Sequence, residues 1–365
     1  MHKIAIFISD LDCGGAQRVM LTLAEGFVAQ GFSVDMVLAR GGGILENEVP
    51  DGVRLVSLSG EKKKKLLFSL KVLVCLVGYL RSVKPEAVLS SITGANLVAV
   101  LARGIANLDT VLVLRHENTA PNISSQLRTW LVKKLYPRSD AVITVSAGAG
   151  LDLKKIIDLK DEKLHVIENP VNSTKIRKLA QDPVSEPWFN DVDIPVLISV
   201  GRLYPQKDFV TLIRAFAKMR ETHPARLIIL GEGPERDRLE LLVRQLGLEN
   251  DVSMPGIVQN PYPWMRAATV FTLSSLWEGL PIALMEAMAL GCRIVATDCH
   301  SGPRELLDDG KYGMLVPVSN EDALSEACIA ALDAPHNPQL IMTRADNYSP
   351  EGIVAKHLQL LRAGD

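Results

Sequence analysis

The apolar positions of the chain fall into short continuous runs separated by longer amphipathic stretches. Runs of strand length lie at 3–9, 34–39, 87–91, 111–116, 141–146 and 164–167, with helix-like segments between most of them. An uninterrupted short run is buried on both faces, and its alternation with helices predicts a parallel sheet covered on both sides. The alternation stops at 169–195, NPVNSTKIRKLAQDPVSEPWFNDVDIP. Pro, Asn and Asp concentrate there, as in a linker and entry segment. It restarts at 195–200 and continues through 226–230, 270–274, 293–297 and 313–316. Two α/β domains in tandem follow, 1–172 and 173–349. Tyr348-Ser349-Pro350 then breaks the chain, and 351–361 reads as a last helix. Ligands of open α/β sheets sit beyond the carboxyl ends of the strands, so two such sheets facing each other would make a cleft.

Composition narrows the class. The 365 residues are 47% hydrophobic and carry a net charge of −2, which counts against a dedicated nucleic-acid binder. The balance is uneven: residues 1–172 hold 21 Lys+Arg against 17 Asp+Glu, and residues 173–365 hold 19 against 25. The first half is therefore expected to face something anionic. The five cysteines (Cys13, Cys75, Cys292, Cys299, Cys328) show no metal-ligand or redox spacing and read as reduced thiols of a cytoplasmic protein. MHKIAIFISD reads as a first strand and not a signal peptide. No apolar run reaches the roughly 18 residues of a spanning helix.

Candidate chemistry lies in the loops after strands. Glu278 and Glu286 flank Gly279-Leu280-Pro281 in WEGLPIALMEA. Pro281 can start a helix, and a helix N-terminus after Gly-Leu can seat a phosphate. Carboxylates would repel that phosphate, so the pair is suited to hydroxyls on either side of it, a ribose and a sugar. Gly201-Arg202-Leu203-Tyr204-Pro205-Gln206-Lys207-Asp208 puts two cations in one loop, where they can neutralise a diphosphate leaving group; a solvated loop is the plainer reading. Gly14-Gly15-Ala16-Gln17-Arg18 follows the first strand and is either a ligand-approach turn or a tight βα turn. His116 ends a strand, with structural and catalytic readings evenly matched. Gly231-Glu232-Gly233-Pro234 is a glycine turn compatible with ligand approach. Asp10-Leu11-Asp12 and Asp191-Val192-Asp193 match a DxD pattern but read as turn formers, so no metal is expected. Lys62, Lys63, Lys64 and Lys65 lead into LLFSLKVLVCLVGYLRSVK. That segment is either a buried helix with a solvated entry or a helix on an anionic membrane surface.

These motifs together resemble the GT4 family of retaining glycosyltransferases with the GT-B fold, and the resemblance covers nearly all of the chain. Glu278–Glu286 is similar to its E-x7-E motif, Gly14–Arg18 to its GGA-x-R loop and Gly201–Asp208 to its GR-L-x-x-x-K-D segment. Asn169-Pro170-Val171 is similar to the NPV that closes the first domain. The resemblance implies two Rossmann-like domains around a cleft, with the helix at 350–365 crossing back to the first. It implies that Arg202 and Lys207 hold the donor diphosphate, with Gly15 beside the donor. Glu286 would bind the ribose, Glu278 the transferred sugar, and the amides of Gly279 and Leu280 the phosphates. His116 would sit at the reacting face, and the base would be met near Val258 in Gly256-Ile257-Val258. Ser301-Gly302-Pro303-Arg304-Glu305 resembles members that build bacterial surface or lipid-linked glycans.

The expected activity is transfer of a hexose or N-acetylhexosamine from a nucleotide-diphosphate sugar, UDP favoured, with retention. The expected acceptor is a polyprenyl-diphosphate-linked glycan at the cytoplasmic face of the inner membrane, and the enzyme would need no metal. A nucleotide-sugar epimerase on the same fold is the alternative. A dinucleotide-dependent oxidoreductase is disfavoured by the missing GxGxxG.

Overall fold

The computed structural model describes residues 2–12, 14–59, 65–117 and 126–362, without the side chains of 65–69. The chain divides into two compact units, Met1–Pro170 with Pro350–Asp365, and Val171–Ser349. In the first, strands β1 (Lys3–Ile8), β2 (Ser33–Leu38), β3 (Val53–Ser57), β4 (Ala87–Ser91), β5 (Val111–His116), β6 (Ala141–Thr144) and β7 (Leu164–Val166) form one sheet. Its order is β3-β2-β1-β4-β5-β6-β7 and every pairing is parallel. Helices α1 (Gly15–Ala29), α2 (Lys65–Val83), α3 (Thr93–Ala106), α4 (Gln126–Leu135) and α5 (Ala147–Ile156) link the strands.

The second unit begins with α6 (Ser173–Leu179). Its strands are β8 (Val196–Val200), β9 (Arg226–Leu230), β10 (Val252–Gly256), β11 (Val270–Leu273), β12 (Arg293–Thr297) and β13 (Met314–Val316). Between and after them lie α7 (Phe209–Arg220), α8 (Arg236–Gln245), α9 (Tyr262–Ala267), α10 (Ile282–Ala289), α11 (Pro303–Leu306), α12 (Glu321–Asp333) and α13 (Pro338–Asp346). The order β10-β9-β8-β11-β12-β13 is again wholly parallel. Each sheet winds outward both ways from its first strand. The topological switch points are therefore β1/β4 and β8/β11, where ligands of such sheets bind.

All the central strands were predicted, because their Val, Ile and Leu side chains are buried on both faces; the edge strands β7 and β13 were predicted as well. β1 and β4 have only one residue between them that is not fully buried. β3 and β10 were not predicted. Both are edge strands: β3 has no fully buried residue and exposes Arg54, Leu55 and Ser57, and β10 contains Pro255. The expected linker at 169–195 also carries helix α6, capped by the Asn172 side chain on the Lys175 N–H at 3.0 Å.

The last helix, α14 (Pro350–Leu361), packs on α1, with Val354 against Gly26. Arg115 of β5, fully buried, ties it in. Its Nε donates to Glu117 at 2.9 Å, its Nη2 to Asn169 Oδ1, and its Nη1 to Ile167 O and His357 Nε2, both at 3.3 Å. His357 Nδ1 donates to Ile353 O at 2.8 Å, so its Nε2 is the acceptor. Burial first, and Arg115 second, push the His357 pKa down to about 3. The imidazole is therefore neutral, as a ring accepting from a guanidinium must be. Where the chain passes between the units, the Val171 N–H donates to Tyr348 O at 2.8 Å.

Cys292, Cys299 and Cys328 are buried free thiols whose pKa burial raises to about 12. Among the described residues no helix is long and apolar enough to cross a membrane.

Candidate active site

The two strongest motifs occupy the two loops at the β8/β11 switch point. After β8 the chain turns through Gly201–Tyr204 into a short 3-10 turn at Pro205–Lys207. Asp208 (φ 45°) then caps α7, accepting from the Thr211 N–H at 3.4 Å and its hydroxyl at 2.7 Å. The loop after β11 is laced to this one. The Leu276 N–H donates to Gln206 O at 2.8 Å, Ser274 Oγ to Lys207 O at 2.7 Å, and Gln206 Nε2 to Trp277 O at 2.8 Å. Lys207 Nζ lies 2.5 Å from Glu278 Oε1. Glu278 is 6% exposed and also accepts from Ser275 Oγ at 2.7 Å and Gln206 Nε2 at 3.5 Å. A buried carboxylate needs such partners. Here Lys207 supplies the charge, while Ser275 and Gln206 fix the orientation.

Arg202 differs from Lys207. It is exposed, lies 5.1 Å over the Tyr204 ring, and has no carboxylate partner among the described residues. Its guanidinium keeps its donors for an anion. Gly279, Leu280 and Pro281 are buried, and Pro281 caps α10. Glu286, the fifth residue of α10, accepts from the Tyr262 hydroxyl of α9 at 2.9 Å. The loop after β12 buttresses this turn. Ser301 Oγ donates to Gly279 O at 3.0 Å. Gly302 (φ +92°) approaches so closely that a Cβ there would stand 2.7 Å from Pro281 Cδ and 2.9 Å from Gly279 O. Thus the Ser301–Glu305 stretch acts first as a support for the Glu278–Pro281 turn.

Gly231-Glu232-Gly233, a turn compatible with ligand approach, lies against the backbone of its own unit. What comes close is backbone. A Cβ on Gly231 would lie 2.0 Å from Gly201 O, and one on Gly233 2.4 Å from Leu203 O. The Leu203 N–H donates to Glu232 O at 2.9 Å and the Glu235 N–H to Leu203 O at 3.1 Å. These glycines hold the Arg202 loop in place. Val258 follows β10, half-buried beside exposed Ile257.

In the first unit, Gly14 and Gly15 follow β1 at the β1/β4 switch point, with Gly15 exposed at the start of α1. Arg18 pairs with Glu48 at 3.1 Å. Asp10 and Asp12 hold Arg40, Asp10 at 3.4 Å, and the Asp12 N–H turns back onto Asp10 Oδ1 at 3.3 Å. Asp191 pairs with Arg226 at 3.2 Å. No group of three or more His, Cys, Asp or Glu side chains suited to a metal occurs among the described residues.

His116 ends β5, but its ring is 1% exposed. Nδ1 lies 3.4 Å from the Tyr136 hydroxyl, and the rings meet edge to face at 5.9 Å. Burial raises the Tyr136 pKa to about 12, which keeps this partner a neutral phenol. Lys62, Lys63 and Lys64 lie outside the described residues; Lys65 starts α2. Ile92, directly after β4, adopts φ 73°, which no pattern of residues announced. A β-branched residue is strained there, and that strain sits at the switch point of the first unit.

The sequence profile of "Glycosyl transferases group 1" matches residues 182–347, and that of "Glycosyltransferase Family 4" matches residues 13–175. Together they span nearly the whole chain. It belongs to glycosyltransferase family 4. An uncharacterized glycosyltransferase of Methanocaldococcus jannaschii is 30% identical, over 76% of this chain and 75% of its own. The N-acetylgalactosamine-N,N'-diacetylbacillosaminyl-diphospho-undecaprenol 4-alpha-N-acetylgalactosaminyltransferase of Campylobacter jejuni is 29% identical, over 91% of both chains. Anabaena Alr3699/HepE, solved in complex with UDP and glucose, shares the fold at TM-score 0.83 and 21% identity, over 100% of both chains. The lipopolysaccharide outer core galactosyltransferase WaaB does so at TM-score 0.76 and 18%, over 99% of both. This chain is a GT-B glycosyltransferase, and the switch-point loops described above are those of its second Rossmann-like unit.

Proposed function

We propose that this glycosyltransferase moves a hexose or N-acetylhexosamine from a UDP-sugar to a polyprenyl-diphosphate-linked glycan, with retention and without a metal. The observation that carries the reading is the β8/β11 pair of loops. They put Arg202, Lys207, Glu278 and a helix start together at a topological switch point. The relative from Campylobacter acts, by its name, on a diphospho-undecaprenol-linked sugar, and the Anabaena neighbour holds UDP.

In this reading Arg202 and Lys207 neutralise the diphosphate as its charge develops, aided by the N-terminus of α10. Lys207 starts out paired to Glu278, so the diphosphate shares that cation with the carboxylate. Ser275 and Gln206 keep Glu278 in place as Lys207 turns toward the phosphates, leaving the carboxylate to accept from a sugar hydroxyl. Glu286, steadied by Tyr262, accepts from the ribose. Gly279 and Leu280 line the phosphate seat, and the backbone near Val258 meets the base. The acceptor hydroxyl attacks from the side the diphosphate leaves, and the departing phosphate takes its proton, so no protein nucleophile is needed. The enzyme works at the cytoplasmic face of an anionic membrane. The test is turnover of UDP-hexoses and UDP-N-acetylhexosamines with and without acceptor. Acceptor-dependent transfer supports the reading. Donor consumption without acceptor would point to the epimerase instead.

A further inference from the structure

The first unit carries an unusual outward face. α2, α3 and α4 cover one side of its sheet, α3 packing against both neighbours, and all three contribute to one hydrophobic core. Their inner faces explain the fold. Their outer faces are not the polar surface that a solvent-facing helix layer carries. Leu70 and Val74 of α2 are 54% and 70% exposed, Leu101 and Ile105 of α3 37% and 52%, and Leu127 and Trp130 of α4 67% and 54%. Every outward position of α3 that is exposed is leucine, isoleucine or glycine. Scattered exposed apolar residues are ordinary, but six on three adjacent helices form a patch that marks a contact surface.

Charge says what the contact is. The three helices contain no Asp or Glu. The cations Lys71, Arg81, Lys133 and Lys134 stand among or beside the six, all exposed. A layer that is apolar in the middle, basic at its edge and free of acid complements anionic headgroups over hydrocarbon. A tryptophan with its polar N–H on an otherwise apolar ring suits that interface. We infer that the outer face of α2, α3 and α4 is a docking surface for an anionic lipid bilayer. This deepens the membrane part of the function proposed above and rests on that reading. It also moves the contact from the lysine block at Lys62–Lys65 to a three-helix face with Trp130 on its far helix.

The test is sedimentation of the full chain with vesicles of zwitterionic lipid and with vesicles enriched in anionic lipid. The wild type binds the anionic vesicles more tightly. Val74→Asp, Ile105→Asp and Trp130→Asp each weaken that binding about tenfold or more, because a carboxylate enters the apolar contact. Neutralising Lys133 and Lys134 weakens it about fivefold per lysine and spares binding to zwitterionic vesicles. All five side chains are exposed, so the fold is kept, which circular dichroism checks. Failure of the wild type to bind either vesicle, or unchanged binding by the three Asp variants, overturns the inference. So does a lipid-free dimer that those variants dissolve, since the face would then belong to a second copy. Turnover of UDP-sugar on a water-soluble acceptor, run on the same preparations, separates the two claims. Turnover without vesicle binding sinks the docking surface alone; vesicle binding without turnover sinks the proposed activity.

Discussion

Replacing His357 with Gln should flatten the acid limb of the protein's stability profile. His357 is fully buried between Arg115 and the Ile353 carbonyl, and its pKa is pushed from 6.5 down to about 3. The folded state thus keeps the ring neutral while the unfolded chain protonates it below about pH 6.5. Its contribution is complete above that pH and is lost progressively as the pH falls toward 3. Each pH unit in that window is worth about 1.4 kcal/mol, so about 2 kcal/mol is gone at pH 5. For a unit of this size that is a fall of roughly 4–8 °C in melting temperature from this residue alone. Glutamine can still accept from Arg115 but does not titrate. Melting curves of wild type and His357→Gln between pH 7.5 and 5 read the difference directly. The wild type should lose about 2 kcal/mol more than the variant over that interval. Parallel losses would refute the buried neutral histidine and with it the argument for how α14 is fastened to β5.

Four further predictions concern the site. Lys207→Ala should lower turnover at saturating donor on the order of tenfold to a thousandfold, judged from single deletions of transition-state charge donors; near-wild-type turnover would remove its role. Gly302→Ala should keep the fold but weaken UDP-sugar binding, because its Cβ would stand 2.7 Å from Pro281 Cδ at φ +92° and push the Glu278–Pro281 turn aside. Unchanged affinity by calorimetry would show that this turn does not seat the donor. Glu286→Gln should weaken donor binding more than it alters the pH–rate profile. Tyr262→Phe should weaken it about threefold to tenfold, the worth of the hydrogen bond at 2.9 Å. A shifted pH profile in Glu286→Gln would return that carboxylate to acid–base work.

The sequence disclosed the central strands because burial on both faces leaves uninterrupted runs such as 87–91. It concealed β3 and β10, whose edge positions admit Arg54 and Pro255. It disclosed the carriers of charge, Arg202, Lys207, Glu278 and Glu286, since each lies at the carboxyl end of a strand or in the first turns of a helix. It did not disclose that Lys207 and Glu278 are paired, which depends on 71 residues of chain returning to the neighbouring strand. Supports were harder still. Gly231 and Gly233 were compatible with ligand approach as well as with a structural turn, because a close backbone approach leaves the same mark whichever partner approaches. Arg115 read as one more residue of a strand, and only the packing of Asn169 and His357 around it reveals a buried clasp.

If the Arg202–Lys207–Glu278 loops serve acceptor-dependent sugar transfer from a UDP-sugar, the product itself carries the proof. The most direct measurement incubates the purified protein with UDP-hexoses and UDP-N-acetylhexosamines and a polyprenyl-diphosphate-linked acceptor. Proton NMR then reads the anomeric configuration of the product. The expected product carries the transferred sugar in the donor's α configuration and is lost in Lys207→Ala. An inverted product, or donor consumed equally without acceptor, would contradict this reading.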